Sequence, residues 1–310
     1  MKIQTMQAVA FYLAYPIIWL IARLPFPAIY FISDGVYILV YHVLRYRREV
    51  IFKNIKTAFP ELSEKEVIQL SKQSTRHFCD IFVEMVKSTG ISSQELHDRF
   101  VCDNLEEINA FAKAEQPIVI LIGHQASYEW TMSLDDFIGF TTYAVYKPIK
   151  NAYFDNYIRK VRSKFGSILI PMKKAYHIMQ ERQKSKSDVG LYALVADQSP
   201  KAASAQFFTT FFDQITPVFM GGERISKEYG MPVFFLQVEK VKRGYYKAHF
   251  EKVTDDASQE PKWMVTDTFF QLLEKQIRKQ PQYYLWTHKR WKVKPEDARR
   301  AVELSPRVPQ

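Results

Sequence analysis

Ile118-Val-Ile-Leu-Ile-Gly-His124-Gln-Ala-Ser-Tyr-Glu129-Trp130 is the stretch on which the reading of this chain turns. Its first five residues are all apolar and four are β-branched, a run too short for a buried helix. It suits a strand covered on both faces, as strands of a parallel sheet are. The glycine ends that strand and delivers His124 to the carboxyl end of the sheet, where open α/β proteins place their sites. Glu129 follows five positions later. In a continuous helix, five steps of about 100° would set the two side chains roughly 140° apart. A His124–Glu129 pair therefore requires the histidine in the turn and the glutamate in the first turns of the next helix. A carboxylate on one imidazole nitrogen fixes the tautomer and leaves the other nitrogen to take a proton from a hydroxyl. The spacing alone weighs little, because 7 histidines among 33 acids give roughly 0.7 such pairs by chance. The strand–glycine–histidine context carries the reading, and a buried structural histidine competes with it.

Working outward, short apolar runs at 118–122, 142–146, 168–171, 191–196 and 233–238 alternate with helical stretches near 127–136, 151–163, 173–184, 217–229 and 262–279. Residues 245–253 alternate as a further strand. This order predicts an α/β fold with a mostly parallel central sheet and flanking helices. Upstream, residues 46–116 read as helix with short breaks. Ser63 with Glu64 and Glu66 opens a helix to Lys87, whose buried side would hold Val67, Leu70, Phe78, Ile81, Phe82 and Met85. The expected organisation is an N-terminal anchor over 1–45, a catalytic α/β domain over 46–294 and a loose tail over 295–310.

Composition narrows the partners. Apolar residues make up 47% of the 310, enough for a dry core, so a disordered chain is excluded. Cys79 and Cys102 are the only cysteines, too few for a disulfide framework or a cysteine metal cage. The net charge of +10 asks for an acidic partner. Residues 3–22 carry no charge and reach about 30 Å as a helix, the thickness of a bilayer core. Gln4, Thr5, Gln7 and Pro16 weaken that span. The stretch 26–44, broken by Asp34-Gly35, reads as an interfacial or core helix. Arg45, Arg47, Arg48 and Lys53 behind it favour placing the remaining chain on the cytoplasmic side. Nucleic-acid binding would explain the charge but not the apolar start.

The remaining candidates are individually weaker. Ser127 lacks the G-x-S-x-G nucleophile pattern and reads as a helix cap; no Walker loop, dinucleotide fingerprint or metal-ligand spacing appears. Arg159 and Arg162 lie on a helix whose other side is apolar. They suit a phosphate or an oxyanion, or simply a solvated basic face. Asp197-Gln198 closes an apolar strand and so falls at the same sheet edge as His124. Residues 283–292 interleave bases with aromatics, as a membrane interface does.

In order, these segments resemble the late acyltransferases of lipid A biosynthesis, within the lysophospholipid (glycerolipid) acyltransferase-like superfamily. Tyr46-Arg-Arg-Glu-Val-Ile-Phe-Lys-Asn54 and Ala58-Phe-Pro-Glu61 are similar to that family's early block, and His124 to Glu129 matches its H-x4-D/E signature. Tyr146-Lys147-Pro-Ile-Lys-Asn151, Arg162-Ser-Lys-Phe-Gly166, Asp197-Gln198, Phe211-Phe212 with Thr216, Gly230-Met-Pro-Val233 and the run 282–292 follow in the family's order. Two departures stand out: Gln125-Ala-Ser-Tyr128 replaces the usual Phe-Gly-Asn-Trp, and Asp213 follows Phe212 where a glycine is usual. The resemblance implies an inner-membrane enzyme moving a fatty acyl chain from acyl carrier protein to a hydroxyl of a lipid A precursor. His124 would be the general base, oriented by Glu129. Arg162 would hold an oxyanion or phosphate, with Asp197, Gln198, Arg159 and Lys147 as supporting contacts, and no metal or cofactor is implied. Phe207-Phe208 and Phe211-Phe212 are candidates to line an acyl groove. A related glycerolipid or aminolipid acyltransferase and a non-catalytic membrane-surface protein are the alternatives.

Overall fold

The computed structural model describes residues 2–185 and 189–309. Two apolar helices come first, α1 (Lys2–Arg23) and α2 (Phe26–Tyr37), the second running on into a π-helical segment over Ile38–Val43. Then follow α3 (Arg48–Ala58), α4 (Glu64–Lys87), α5 (Ser93–His97), β1 (Phe100–Cys102), α6 (Leu105–Lys113) and β2 (Ile118–Ile122). A 3-10 helix over Tyr128–Asp136 leads to β3 (Thr141–Tyr146), α7 (Ala152–Arg162), β4 (Ile168–Pro171), α8 (Ala175–Ser185) and β5 (Gly190–Val195). The chain closes with β6 (Phe207–Phe211), β7 (Gln214–Val218), α9 (Gly221–Tyr229), β8 (Val233–Lys242), β9 (Tyr245–Thr254), α10 (Met264–Lys279) and β10 (Glu303–Leu304).

The central sheet has the order β1-β9-β8-β2-β5-β3-β4, parallel throughout except for the β8–β9 hairpin. This is the expected mostly parallel α/β arrangement. The five residues of β2 are all buried because helices cover both faces. Ile118, Ile120 and Ile122 pack into one core with Phe234 and Leu236, while Val119 and Leu121 pack into the other with Phe235 and Leu273. At about 1.5–3 kcal/mol for each fully buried aliphatic side chain, this strand is a principal stabilising element.

Helix α4 begins as its sequence indicates: Ser63 and Glu66 form a reciprocal capping box. Its apolar stripe behaves differently from the expectation. Phe82 is exposed, and Phe78 and Met85 are only partly covered, because they face a cleft and not the core. Farther along, α4 carries a buried polar network. Glu84 accepts from the hydroxyls of Tyr30 at 2.7 Å and Tyr246 at 2.8 Å, and Asp80 accepts from Ser33 and from Arg243. Burial pushes the Glu84 carboxyl up to about 7 despite these donors. A raised carboxyl pKa favours folding below the unfolded value, and the advantage disappears as pH rises through the folded one. Stability should therefore fall between about pH 4.5 and 7 by an amount on the order of 3 kcal/mol from this group. Glu84→Gln should flatten that slope in chemical unfolding followed at several pH values.

Two regions depart from the expectation. Residues 207–218 form a hairpin whose turn is Phe212-Asp213, both at positive φ (50° and 56°). The helix expected from 217 accordingly begins at Gly221. A side chain at position 213 is strained in that conformation, where a glycine would not be. Asp213→Gly should raise stability by about 0.5–1 kcal/mol, read as an upward shift of the thermal midpoint. The tail beyond Lys294, expected to be loose, is tied down. Glu303 and Leu304 pair with β6, Ser305 donates to Asp267 at 2.6 Å, and Val308 is buried.

Candidate active site

Strand register builds the centre of the site. Ile122 of β2 lies opposite Val195 of β5, and the Ala196 amide donates to the Ile122 carbonyl at 3.0 Å. Neighbouring strands lie about 4.8 Å apart, so the second residue past each strand end, His124 and Asp197, emerges side by side. The Asp197 carboxylate sits 2.5 Å from His124 Nδ1 and also accepts from the His124 amide at 3.3 Å. Gly123 allows this close turn, because a Cβ there would stand 2.3 Å from Leu273 Cδ1.

Asp197 is fully buried and held from two further sides. The Tyr284 hydroxyl donates to it at 2.7 Å, and Arg290, itself 2% exposed, donates at 3.2 Å. Burial alone would raise its pKa, but His124, Arg290 and Tyr284 together hold it well below the carboxylate range. The ionised carboxylate keeps the proton of the imidazole on Nδ1, leaving Nε2 as an acceptor. Gln198 donates its side-chain amide to that Nε2 at 3.1 Å.

The expected His124–Glu129 pair is corrected by this geometry. Glu129 accepts from Arg162 Nε at 3.0 Å and from Nη2 at 2.6 Å, a bidentate ion pair. Burial works against the Arg162 charge, but Glu129 beside it raises the guanidinium pKa overall. The physical reason is the local fold. After His124 the chain does not enter an α-helix; it makes a turn with Ala126 at φ 49° and then a 3-10 helix from Tyr128. Ser127 precedes that helix without a side-chain cap bond. A positive φ is one that glycine adopts freely and alanine does not, so the turn at Ala126 is strained.

His124 and Glu129 nevertheless line one cleft. Its walls are Phe78, Ile81, Phe82 and Met85 of α4 on one side, Tyr128 and Tyr283–Thr287 on the other. The Tyr128 ring stands edge-on to the imidazole, 4.8 Å between centroids, and burial raises its phenol so that it stays protonated. His77, at the cleft wall, accepts from Lys240 Nζ at 3.2 Å, and burial keeps it neutral. The phenylalanines expected to line a groove do not: Phe208, Phe211 and Phe212 are buried, the last two against Phe270 and Trp286.

Of the residues singled out from sequence, His124, Asp197 and Gln198 therefore meet directly, and Glu129 meets Arg162. Arg159 and Lys147 are exposed and, among the described residues, take no part in that network. Tyr284 and Arg290 were passed over, although they sit in the aromatic–basic run already noted. Their contribution depends on the C-terminal segment folding back: Leu285 donates to the His124 carbonyl and Ala126 to that of Tyr283.

An imidazole held by a buried carboxylate beside an apolar cleft is an arrangement that suits proton transfer on an apolar substrate. The chain belongs to the bacterial lipid A biosynthesis acyltransferase family, whose model matches residues 1–293. It is also 23% identical over 292 residues, 90% of each chain, to the lipid A biosynthesis lauroyltransferase of Escherichia coli (strain K12).

Proposed function

We propose that the protein transfers a fatty acyl chain from a thioester on acyl carrier protein to a hydroxyl of a lipid A precursor, at the cytoplasmic face of the bacterial inner membrane. The observation that carries this reading is the Asp197–His124–Gln198 line at the mouth of the α4 cleft. The Gln198 amide sits where an acceptor hydroxyl would donate to Nε2. On binding, that hydroxyl gives its proton to His124, and its oxygen attacks the thioester carbonyl. Asp197 stabilises the imidazolium formed, and collapse of the tetrahedral intermediate releases the thiolate, which takes the proton back. A thioester is activated enough for this route without a metal. Glu129, at the cleft wall, holds Arg162 in a bidentate ion pair, so in this reading Glu129 positions that guanidinium toward the developing charge and does not act on the imidazole. Lys147 and Arg159, exposed on and near α7, add to a basic rim that attracts an acidic carrier and a phosphorylated acceptor. The apolar walls of the cleft take the hydrocarbon.

The test is purified enzyme with acyl carrier protein loaded with chains of 10 to 16 carbons and a lipid A precursor. Acylation of the lipid A precursor, with a preference for one chain length, is expected. Acylation of a lysophospholipid in its place would move the protein to the glycerolipid branch. Absence of thioester consumption in every combination would remove the enzymatic reading.

A further inference from the structure

Both N-terminal helices are long and apolar enough to cross a bilayer, yet the way they are fastened argues for another placement. On α1, Gln7, Phe11, Ala14, Ile18 and Ala22 form one stripe that is partly covered, with Ala22 buried. The spacing of three and four residues keeps that stripe continuous along the helix. Opposite it, Val9, Tyr12, Leu13, Ile17 and Leu20 are each more than half exposed.

The docking is fixed at both ends. Near its start, Gln7 donates to the Lys150 carbonyl at 3.3 Å, and Asn151, the cap of α7, donates to the Gln7 carbonyl at 3.1 Å. The Phe11 ring packs on Tyr153 and Phe154 of α7. Near its end, Lys87 of α4 donates to the carbonyls of Ala22 and Leu24, and the Ala22 carbonyl would stand 2.3 Å from any Cβ at Gly90. From Gln7 to Ala22 the helix covers about 22 Å. Both ends of that length are fastened to the same domain.

A helix standing upright in the bilayer would therefore drag α7 into the hydrocarbon. Lys150 and Lys160 are exposed there, and charge at that depth is strongly unfavourable. The second helix is held in the same manner. Asp34, in its interior, pairs with Arg243 at 2.9 Å and Arg76 at 3.2 Å, both on the catalytic domain. The helix presents Phe31, 81% exposed, outward, and its continuation presents Ile38 and Val43.

We propose that α1 and α2 lie in the plane of one leaflet of an anionic phospholipid bilayer and do not span it, so that the start of α1 and the catalytic domain occupy the same side. The outward stripes enter the acyl boundary, as amphipathic interfacial helices do. Arg23, exposed beside that apolar face, and the exposed Arg45 and Arg47 at the end of the second helix meet the lipid phosphates. This rests on the membrane reading given above.

The experiment uses full-length protein with Cys102 replaced by serine, the native Cys79 being buried. Single cysteines are introduced as Lys2→Cys, as Pro25→Cys in the exposed turn between α1 and α2, and, on α7, as Lys160→Cys. Each is probed with an impermeant maleimide in sealed vesicles of each orientation. Labelling of all three positions from the same face is expected. Labelling of position 2 alone from the opposite face (one span) or of position 25 alone from the opposite face (two spans) overturns the in-plane placement while leaving membrane attachment intact. Flotation with phosphatidylglycerol-containing liposomes separates the two failures: protein that stays at the bottom of the gradient defeats attachment itself.

Discussion

His124→Ala is expected to lower acyl transfer by about a thousandfold or more while the protein stays folded. A positioned general base contributes about 10²–10⁴ in rate, and that is the role we propose for this imidazole. The fold should survive because the backbone bonds of this residue remain: its carbonyl accepts from Leu285, and its amide donates to Asp197. Single-turnover transfer from a loaded acyl carrier protein, alongside circular dichroism, makes the measurement. A variant keeping a tenth of the wild-type rate would exclude His124 as the base.

The second large effect concerns Asp197, where two substitutions should differ in degree. Asp197→Asn keeps an oxygen near Nδ1 but removes the charge that stabilises the imidazolium, so a rate loss of about 10²–10⁴ is expected. Both Asp197→Asn and Asp197→Ala remove the counter-charge of Arg290, 2% exposed, and the alanine change also removes the acceptor of Arg290 and Tyr284. An uncompensated buried charge costs about 3–5 kcal/mol, so both variants should show a depressed urea midpoint, the alanine variant the lower one. The pH profile of kcat/KM discriminates the two carboxylates: its acid limb should change in Asp197→Asn and keep its position in Glu129→Gln. The reverse pattern would return the orienting role to Glu129.

Much of the fold was legible because β2, β3, β4, β5 and the first half of β8 are short apolar runs set among helical segments. The β6–β7 hairpin escaped because its turn is Phe212-Asp213, without the glycine that ordinarily announces such a turn. The tail escaped because its ties are to Asp267, which no local pattern links to Ser305. Phe82 was assigned inward because a helical stripe looks the same whether it meets a core or a cleft.

The site divides along the same line. Local sequence sufficed to put a histidine just past the end of a buried strand, since strand, glycine and histidine are contiguous and the stop is steric. It sufficed also to place Asp197-Gln198 at the end of another strand. Which acid serves the imidazole was a tertiary decision. Glu129 is five residues away but is carried off by a turn and a 3-10 helix into the grip of Arg162. Asp197, 73 positions away, is brought alongside because β2 and β5 are neighbours in parallel register. Two strands ending level set their following residues within hydrogen-bond reach, and no spacing along the chain encodes that.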